Sequence, residues 1–556
     1  MSDRSIRERS TEPGYLEEKV EVTGHVDRVE LSVEQKTTGH RDYHGIDTTH
    51  VQPGADAAYE AKIALVNEAL IDIGMGPFQW KLFILTGFGW FVDNVWLQAI
   101  TIVGPAIQRE FAVKRIAFLT VAKYVGLTIG ASTWPLAADF IGRRPAFNIS
   151  LLCSSLSALV AAGSPNFVAM ATLCAMIGVG AGGNHAVDSA IFLEYIPATH
   201  QHLLTVQSVF LATGIAVAAL VSWPLVVNFT CPAGTPQSEC GFHENIGWRY
   251  IYWTLGGFTL FLSFCRFMFG LYETPKYLLG RGKDEAAVKV ITKMAARDGK
   301  TTWLTLAHLQ AVDARLEAAA LLADDRDSQS GGAGLHATAN KTTIQRFMAK
   351  WAPNKVRALF STPRMALSTS MMIVLWTAIG MSYPLYNSFI PFYLERKGVA
   401  VGASSLDITY RNYTIQAVCG LPAAILGGFS VRLKNVGRKG TGAFACIFTG
   451  LFLFLYTQAS NSAAVLGFSC AISFFQFLMY GLLYSYTPEL FPAPIRGTGN
   501  GLMMTFNRLA GVMAPLIAAY VGIETDTPIW ICASLLTLSG FVCLLLPYES
   551  RGRAAS

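Results

Sequence analysis

"DFIGRRPAF", residues 139–147, returns as "KNVGRKGTG" at 434–442, so that Gly142 aligns with Gly437 and Arg143 with Arg438. The spacing between the two copies is 295 residues. "EYIP" at 194–197 returns as "ELFP" at 489–492 at the same spacing. Two separate matches at one offset identify an internal duplication and predict two parallel, similarly folded halves.

Long apolar runs surround these loops. Of 556 residues, 52% are hydrophobic and 14% are charged, against about 25% charged in an ordinary soluble domain. The mean hydropathy is +0.38. A membrane-crossing helix needs about 20 mostly apolar residues. Such runs lie near 81–104, 116–137, 146–164, 167–189, 204–227 and 250–270, then near 366–392, 411–431, 441–459, 464–486, 500–521 and 527–547. The sequence therefore predicts an all-α membrane protein with twelve transmembrane helices in two pseudo-symmetric six-helix bundles. Residues 1–56 read as a disordered cytosolic tail, and 57–80 as an amphipathic helix and lead-in. The N-terminal bundle covers 81–272 and the C-terminal bundle 366–547. Between them, 273–365 reads as a cytosolic linker, and 548–556 as a second cytosolic tail. The polar start "MSDRSIRERS" has no apolar core of a signal peptide.

Basic residues orient the spans. Arg143 and Arg144 lie between spans 2 and 3, and Arg432, Lys434, Arg438 and Lys439 between spans 8 and 9. With an even number of spans, these loops share a side with both termini, which predicts cytosolic termini. Arg109, Lys114 and Arg115 run against this pattern. The opposite face carries "NFTCPAGTPQSECGF", with a glycosylation sequon at Asn228 and two of the ten cysteines, Cys231 and Cys240. A disulfide between them and a glycan there both require an oxidising, extracytosolic face. The net charge of +6 reflects loop orientation rather than a nucleic-acid partner. No metal-ligand spacing, HExxH, GxSxG or Walker A lysine occurs, so no metal, cofactor or enzymatic activity is expected.

"PLAADFIGRR" resembles the G-x-L-x-D-R-x-G-R-R loop signature of the major facilitator superfamily, with Pro135 in place of the first glycine and Phe140 in place of the first arginine. "YETPKYL" at 272–278, "YESRGR" at 548–553 and "YTPELFPAPIRGTGNG" resemble further loops of its sugar-porter-like members. "GVGAGGNHAVDSAIFLEYIP" with "GFGWFVDNVWLQ" looks most like a fungal branch related to synaptic-vesicle-glycoprotein and organic-ion transporters. The resemblance covers roughly 74–553. This chain departs from relatives at His185-Ala186, and has Cys174 where many members carry an arginine in span 4.

The resemblance implies rocker-switch transport around a site near the bilayer midplane, with spans 1, 4, 7 and 10 around the cavity. Asp139, Arg143, Arg144, Glu194, Arg438, Glu489 and Arg496 then form a candidate cytosolic gate; charged loops of this kind also merely cap helices and orient the chain. Inside the spans, ionisable residues are candidates by default. Asp93 lies about 12 residues, or roughly 18 Å, into span 1. It is either a proton or substrate site or one member of a structural pair, with Lys123 and Arg508 as conceivable partners. Asn184, His185 and Asp188 share a face of span 4 by i,i+3 and i,i+4 spacing. His185 is a pH-sensor candidate or an ordinary hydrogen-bonding group. At an offset of 295, Asp93 falls on Ser388, beside Tyr383, Tyr386 and Asn387. Asn94, Trp96, Gln98, Gln476, Asn507 and Arg508 complete the expected lining. Tyr393 is expected to anchor at the interface, Arg266 to snorkel toward lipid phosphate, and "GVGAGG" to allow close helix packing.

The leading expectation is a monomeric, proton-coupled secondary transporter of a small polar organic solute, sugar-like or carboxylate, in a fungal plasma membrane or vacuole. Its partners are the solute, protons and the lipid bilayer. An exporter of a secondary metabolite or drug-like compound, and a non-transporting nutrient sensor, are the alternatives.

Overall fold

The computed structural model describes residues 57–201, 203–232, 235, 239–327, 353–400, 405–430, 437–491, 493–523 and 525–547. The two expected tails, 1–56 and 548–556, lie outside them, as do Arg432 and Lys434 and the side chains of Arg438, Glu489 and Arg496.

The first half contains α1 (Ala57–Ile73), α2 (Pro77–Ile102), α3 (Gly104–Phe111), α4 (Ala117–Ile141), α5 (Arg143–Ala161), α6 (Phe167–Gly182), α7 (Asn184–Tyr195), α8 (Leu203–Val206), α9 (Ser208–Phe229) and α10 (Gly247–Met268). The connecting region carries α11 (Pro275–Gly280), α12 (Asp284–Arg297), α13 (Leu306–Asp327) and α14 (Pro353–Ala358). The second half contains α15 (Pro363–Asn387), α16 (Ile390–Ala400), α17 (Leu406–Ser430), α18 (Gly437–Thr457), α19 (Ser462–Leu490), α20 (Ala493–Val521) and α21 (Thr527–Leu545). All twelve expected spans are helical, and nine helices among the described residues are long and apolar enough to cross a bilayer by composition alone. The chain is an integral membrane protein of two pseudo-symmetric six-helix bundles.

Matched chemistry starts the matched helices. Asn166 and Asn461, 295 residues apart, each accept from a backbone N–H three residues on, at 2.9 and 2.7 Å. Each such cap contributes about 1 kcal/mol. Pro77 and Pro363 open α2 and α15, where a missing N–H costs nothing. These two prolines are 286 residues apart, not 295. The 295 spacing holds only for the third and fourth spans of each half, because loop lengths elsewhere differ. Asp93 therefore matches the level of Ile379 and Gly380, not Ser388, which sits at the C-terminal end of α15.

Close packing follows the glycines. α4 and α6 meet backbone to backbone: a Cβ on Gly178 would lie 2.6 Å from the Lys123 carbonyl, and Gly126, Gly130 and Gly182 leave equally little room. Small residues of this kind let helices approach where lipid supplies no hydrophobic drive.

The fourth span differs from the expected single helix over 167–189. It breaks at Gly183 and runs on to Tyr195. The cause is Trp134, whose indole N–H donates to the Val179 carbonyl at 2.8 Å. That carbonyl is the one Gly183 N–H would use in a continuous helix; Gly183 turns to Ala181 instead. A side chain inserted into the i→i−4 ladder is a recognised cause of kinks.

The region expected as an extended polar linker is helical over α11–α13. Val290, Ile291, Met294 and Leu309 join Val66, Leu70 and Ile73 of α1 in one buried cluster. Lys62 of α1 is clamped between Asp284 (2.5 Å) and Asp313 (2.7 Å). Burial pulls its ammonium down, but the two carboxylates outweigh that and hold it above the ordinary lysine range. The helical layer therefore belongs to the loop face bearing Arg143, called here the basic face.

On the opposite, disulfide-bearing face the halves are tied together. Arg109 Nη2 donates to Glu395 Oε1 at 2.7 Å, and Trp223 Nε1 to Asp407 Oδ1 at 2.9 Å. The Tyr410 hydroxyl donates to the Ile102 carbonyl at 3.1 Å. The structure is closed on that face.

Candidate functional site

Between the halves, a cavity of ≈ 140 Å³ is lined by α2, α4, α7 and α9 on one side and α15, α19 and α20 on the other. Its polar groups include Asp93, Asn94, His185, Asn507 and Arg508. The sequence reading anticipated these five and Tyr383. It missed the aromatic wall made by Tyr124, Phe477, Tyr480 and Tyr484. The i,i+4 pair Tyr480 and Tyr484, with Gly481 beside it, was the available signal.

Asp93 is the 17th of 26 residues in α2, just beyond the middle on the disulfide side. Its Oδ1 accepts from Asn184 Nδ2 at 2.9 Å. Neither conceivable cationic partner pairs with it. Lys123 Nζ instead donates to the Leu97 carbonyl (3.2 Å) and Thr101 Oγ1 (3.3 Å), joining α4 to α2 outside the cavity. Arg508 shares the cavity with Asp93 at electrostatic range. Asn184 is the first residue of α7, directly after the break at Gly183.

His185, the next residue, stacks on Trp90 with ring centroids 3.9 Å apart and leans on Tyr484 at 5.6 Å. The latter contact crosses between the halves. Its Nε2 is buried without a hydrogen-bond partner among the described residues. Asn94 donates to the Trp90 carbonyl at 3.0 Å and Asn507 to the Trp376 carbonyl at 3.2 Å. Each amide nitrogen is thus engaged by a backbone carbonyl of its own half.

Other expected lining residues lie elsewhere. Asp188 is fully buried behind α2, where its Oδ2 accepts from Arg266 Nη2 at 2.5 Å. Arg266 does not snorkel: it is fully buried, donates also to the Leu85 (3.2 Å) and Phe147 (2.9 Å) carbonyls, and stacks over the Phe147 ring. A buried carboxylate one helix away captures it more strongly than distant lipid phosphate can. Trp96 packs against Tyr252 in the core, 5.5 Å between centroids. Gln98 is buried in α2 and is not among the cavity-lining groups. Asn387 donates to Gln476 Oε1 at 2.9 Å, a buried amide pair that ties α15 to α19. Tyr386 stacks on Tyr393, and the Tyr393 hydroxyl donates to the Leu385 carbonyl at 3.1 Å. Tyr393 is buried, so it is a core residue and not an interfacial anchor.

At the basic face, Arg143 binds Asp139 (2.7 Å) and Glu194 (3.4 Å), all within the first half. Arg144 contributes its backbone, and its side chain is exposed. The unanticipated member is Glu273, which accepts from the Arg143 and Arg144 backbone N–H groups at 2.8 and 3.3 Å. It caps α5 from another segment of the chain. Burial raises its pKa above the ordinary carboxylate range, against the lowering effect of those N–H donors. Gly142 has φ +111°, and a Cβ there would also lie 2.5 Å from Glu273 Oε2.

Cys231 and Cys240 form a disulfide, and eight cysteines are free. The Asn228 amide is exposed at the C-terminal end of α9, donating to the Pro224 carbonyl at 2.8 Å. No cluster of three or more His, Cys, Asp or Glu able to hold a metal occurs among the described residues.

Residues 82–515 match the family model of the Major Facilitator Superfamily. The chain is 44% identical over 502 residues to MFS siderochrome iron transporter 1 of Ceriporiopsis subvermispora, covering 90% of this chain and 93% of that one. It is 41% identical over 505 residues to the major facilitator-type transporter hxnZ of Emericella nidulans, covering 90% and 88%. Among solved structures, the partially occluded inward-open xylose transporter XylE of E. coli superposes with a TM-score of 0.61 at 14% identity, covering 86% and 99%.

Proposed function

The chain belongs to the major facilitator superfamily, and from that premise we propose that it is a proton-coupled secondary transporter of a small polar organic solute. The observation that carries the reading is the Asp93–Asn184 bond in the wall of the shared cavity. A carboxylate held by a neutral amide gains or loses a proton without breaking an ion pair. Asp188, locked to Arg266, has no such freedom. A protonatable group in a cavity that faces the two sides in turn is what coupling requires.

Arg508 makes a carboxylate the favoured solute class over a neutral sugar. A cation beside a wall of apolar and aromatic side chains attracts an anion with an apolar body, and the aromatic rings supply stacking surface. The relatives' names point to different cargoes, so the substrate is argued from the cavity alone. The reading places the basic face in the cytosol, with both termini, and the disulfide face outside a plasma membrane. The protein acts as a monomer.

The experiment is uptake and efflux of a solute panel in proteoliposomes, with and without an imposed pH gradient. The panel holds small carboxylates, sugars and an iron–siderochrome complex. Gradient-driven accumulation of a carboxylate is expected. Flux that ignores the gradient would falsify proton coupling, and flux of nothing on the panel would favour a sensor.

A further inference from the structure

A second repeat lies at the disulfide face, at the 286-residue spacing that aligns α2 with α15. α3 reads "GPAIQREF" and α16 begins "IPFYLERK". Pro105 matches Pro391, Arg109 matches Glu395, and Glu110 matches Arg396. The same Pro-x-x-x-charge-charge pattern occurs in both halves, with the signs of the two charges exchanged.

The inner charge of each pair is anchored within its own half. Glu110 accepts from Arg249 at 2.6 and 2.9 Å and from the Trp248 indole at 2.7 Å, at the start of α10. Arg396 pairs with Asp526, which immediately precedes α21. α10 and α21 are the sixth spans of their halves, so the two anchors are also equivalent. The outer charges meet each other: Arg109 Nη2 lies 2.7 Å from Glu395 Oε1. Arg109 Nη1 also donates to the Cys231 carbonyl at 3.0 Å.

The sign exchange has a physical reason. Parallel halves bring equivalent positions face to face across their pseudo-twofold axis. Identical residues there would place like charges together and repel; opposite ones attract. Gly104, at the start of α3, faces Phe392 at the start of α16, and a Cβ on it would lie 3.0 Å from that ring. Both short helices therefore meet close to the axis.

We propose that Arg109–Glu395 is the latch that closes the disulfide face and parts when that face opens. Glu110–Arg249 and Arg396–Asp526 stay made throughout, fixing α3 to one half and α16 to the other. The proposal rests on the alternating-access reading above, but its test needs no substrate.

The test is hydrogen–deuterium exchange of the full-length protein in lipid nanodiscs. Arg109→Glu and Glu395→Arg, singly, should speed exchange over 104–111, 390–400 and 406–414 by roughly 2–5-fold, the effect of losing one partly exposed ion pair. The combination Arg109→Glu with Glu395→Arg should return exchange toward wild type. If a charge reversal does not fold, Arg109→Gln and Glu395→Gln are read in the same way. Single variants that exchange like wild type, or a double variant as fast as the faster single, would overturn the latch. A protein that opens on latch removal yet moves no solute keeps the latch and removes the transport reading.

Discussion

Asp188 and Arg266 form a fully buried ion pair at 2.5 Å, and they occupy space that a Cβ on Gly89 would fill, 2.6 Å from Arg266 Nη2. The glycine of α2, the carboxylate of α7 and the guanidinium of α10 are thus one packing unit. Removing one partner of a buried pair leaves an uncompensated charge and costs about 3–5 kcal/mol. Asp188→Asn and Gly89→Ala are both expected to lower the thermal unfolding temperature in detergent markedly. Asp188→Leu with Arg266→Met, which removes both charges, should recover much of the loss. Equal instability of the single and double variants would argue against pairing as the cause.

The Trp134 indole holds the break in the fourth span. Trp134→Phe keeps the ring and deletes the N–H that occupies the Val179 carbonyl. The helix should then close over Gly183, with slower amide exchange at 183–187 and weakened transport as Asn184 turns from Asp93. Unchanged exchange there would mean that the break has another origin.

Gly481 lines the cavity and has nothing within 4 Å of a built Cβ. Gly481→Leu should therefore fold normally and block the solute, with transport lost at unchanged thermal stability. Gly178→Leu is the contrasting case, because its side chain would strike the α4 backbone, starting with the Lys123 carbonyl at 2.6 Å. It should fail to fold. Full transport by Gly481→Leu would remove this cavity from the pathway.

Glu273 accepts the backbone N–H groups that open α5. Glu273→Ala should cost about 0.5–2 kcal/mol, the range for a lost helix cap, read as faster exchange at 143–147. Glu273→Gln, which retains an acceptor oxygen, should lose less.

The fold was legible because loops record topology directly: a charge pattern such as "DFIGRR" and "KNVGRK" survives wherever the bilayer orients the chain. The site was legible by residue type but less by direction. Asn184, His185 and Asp188 all lie within α7, yet a shared stretch of helix does not give shared neighbours: Asn184 meets Asp93, His185 the cavity, and Asp188 Arg266. The 295 spacing failed at the first span of each half because unequal loops shift the register to 286. That shift hid both the level of Asp93 and the inverted Arg109-Glu110 and Glu395-Arg396 pairs. Arg266 was misjudged because its partner Asp188 is 78 residues away in sequence.

If Asp93 carries the coupled proton, Asp93→Asn separates exchange from coupling. Proteoliposomes with wild-type or variant protein are compared for two activities with the solute the panel identifies: exchange at equal pH, and accumulation driven by a pH gradient. The variant, still able to accept from Asn184, is expected to retain exchange and lose accumulation. A correctly folded Asp93→Asn protein that accumulates solute as wild type does would contradict it.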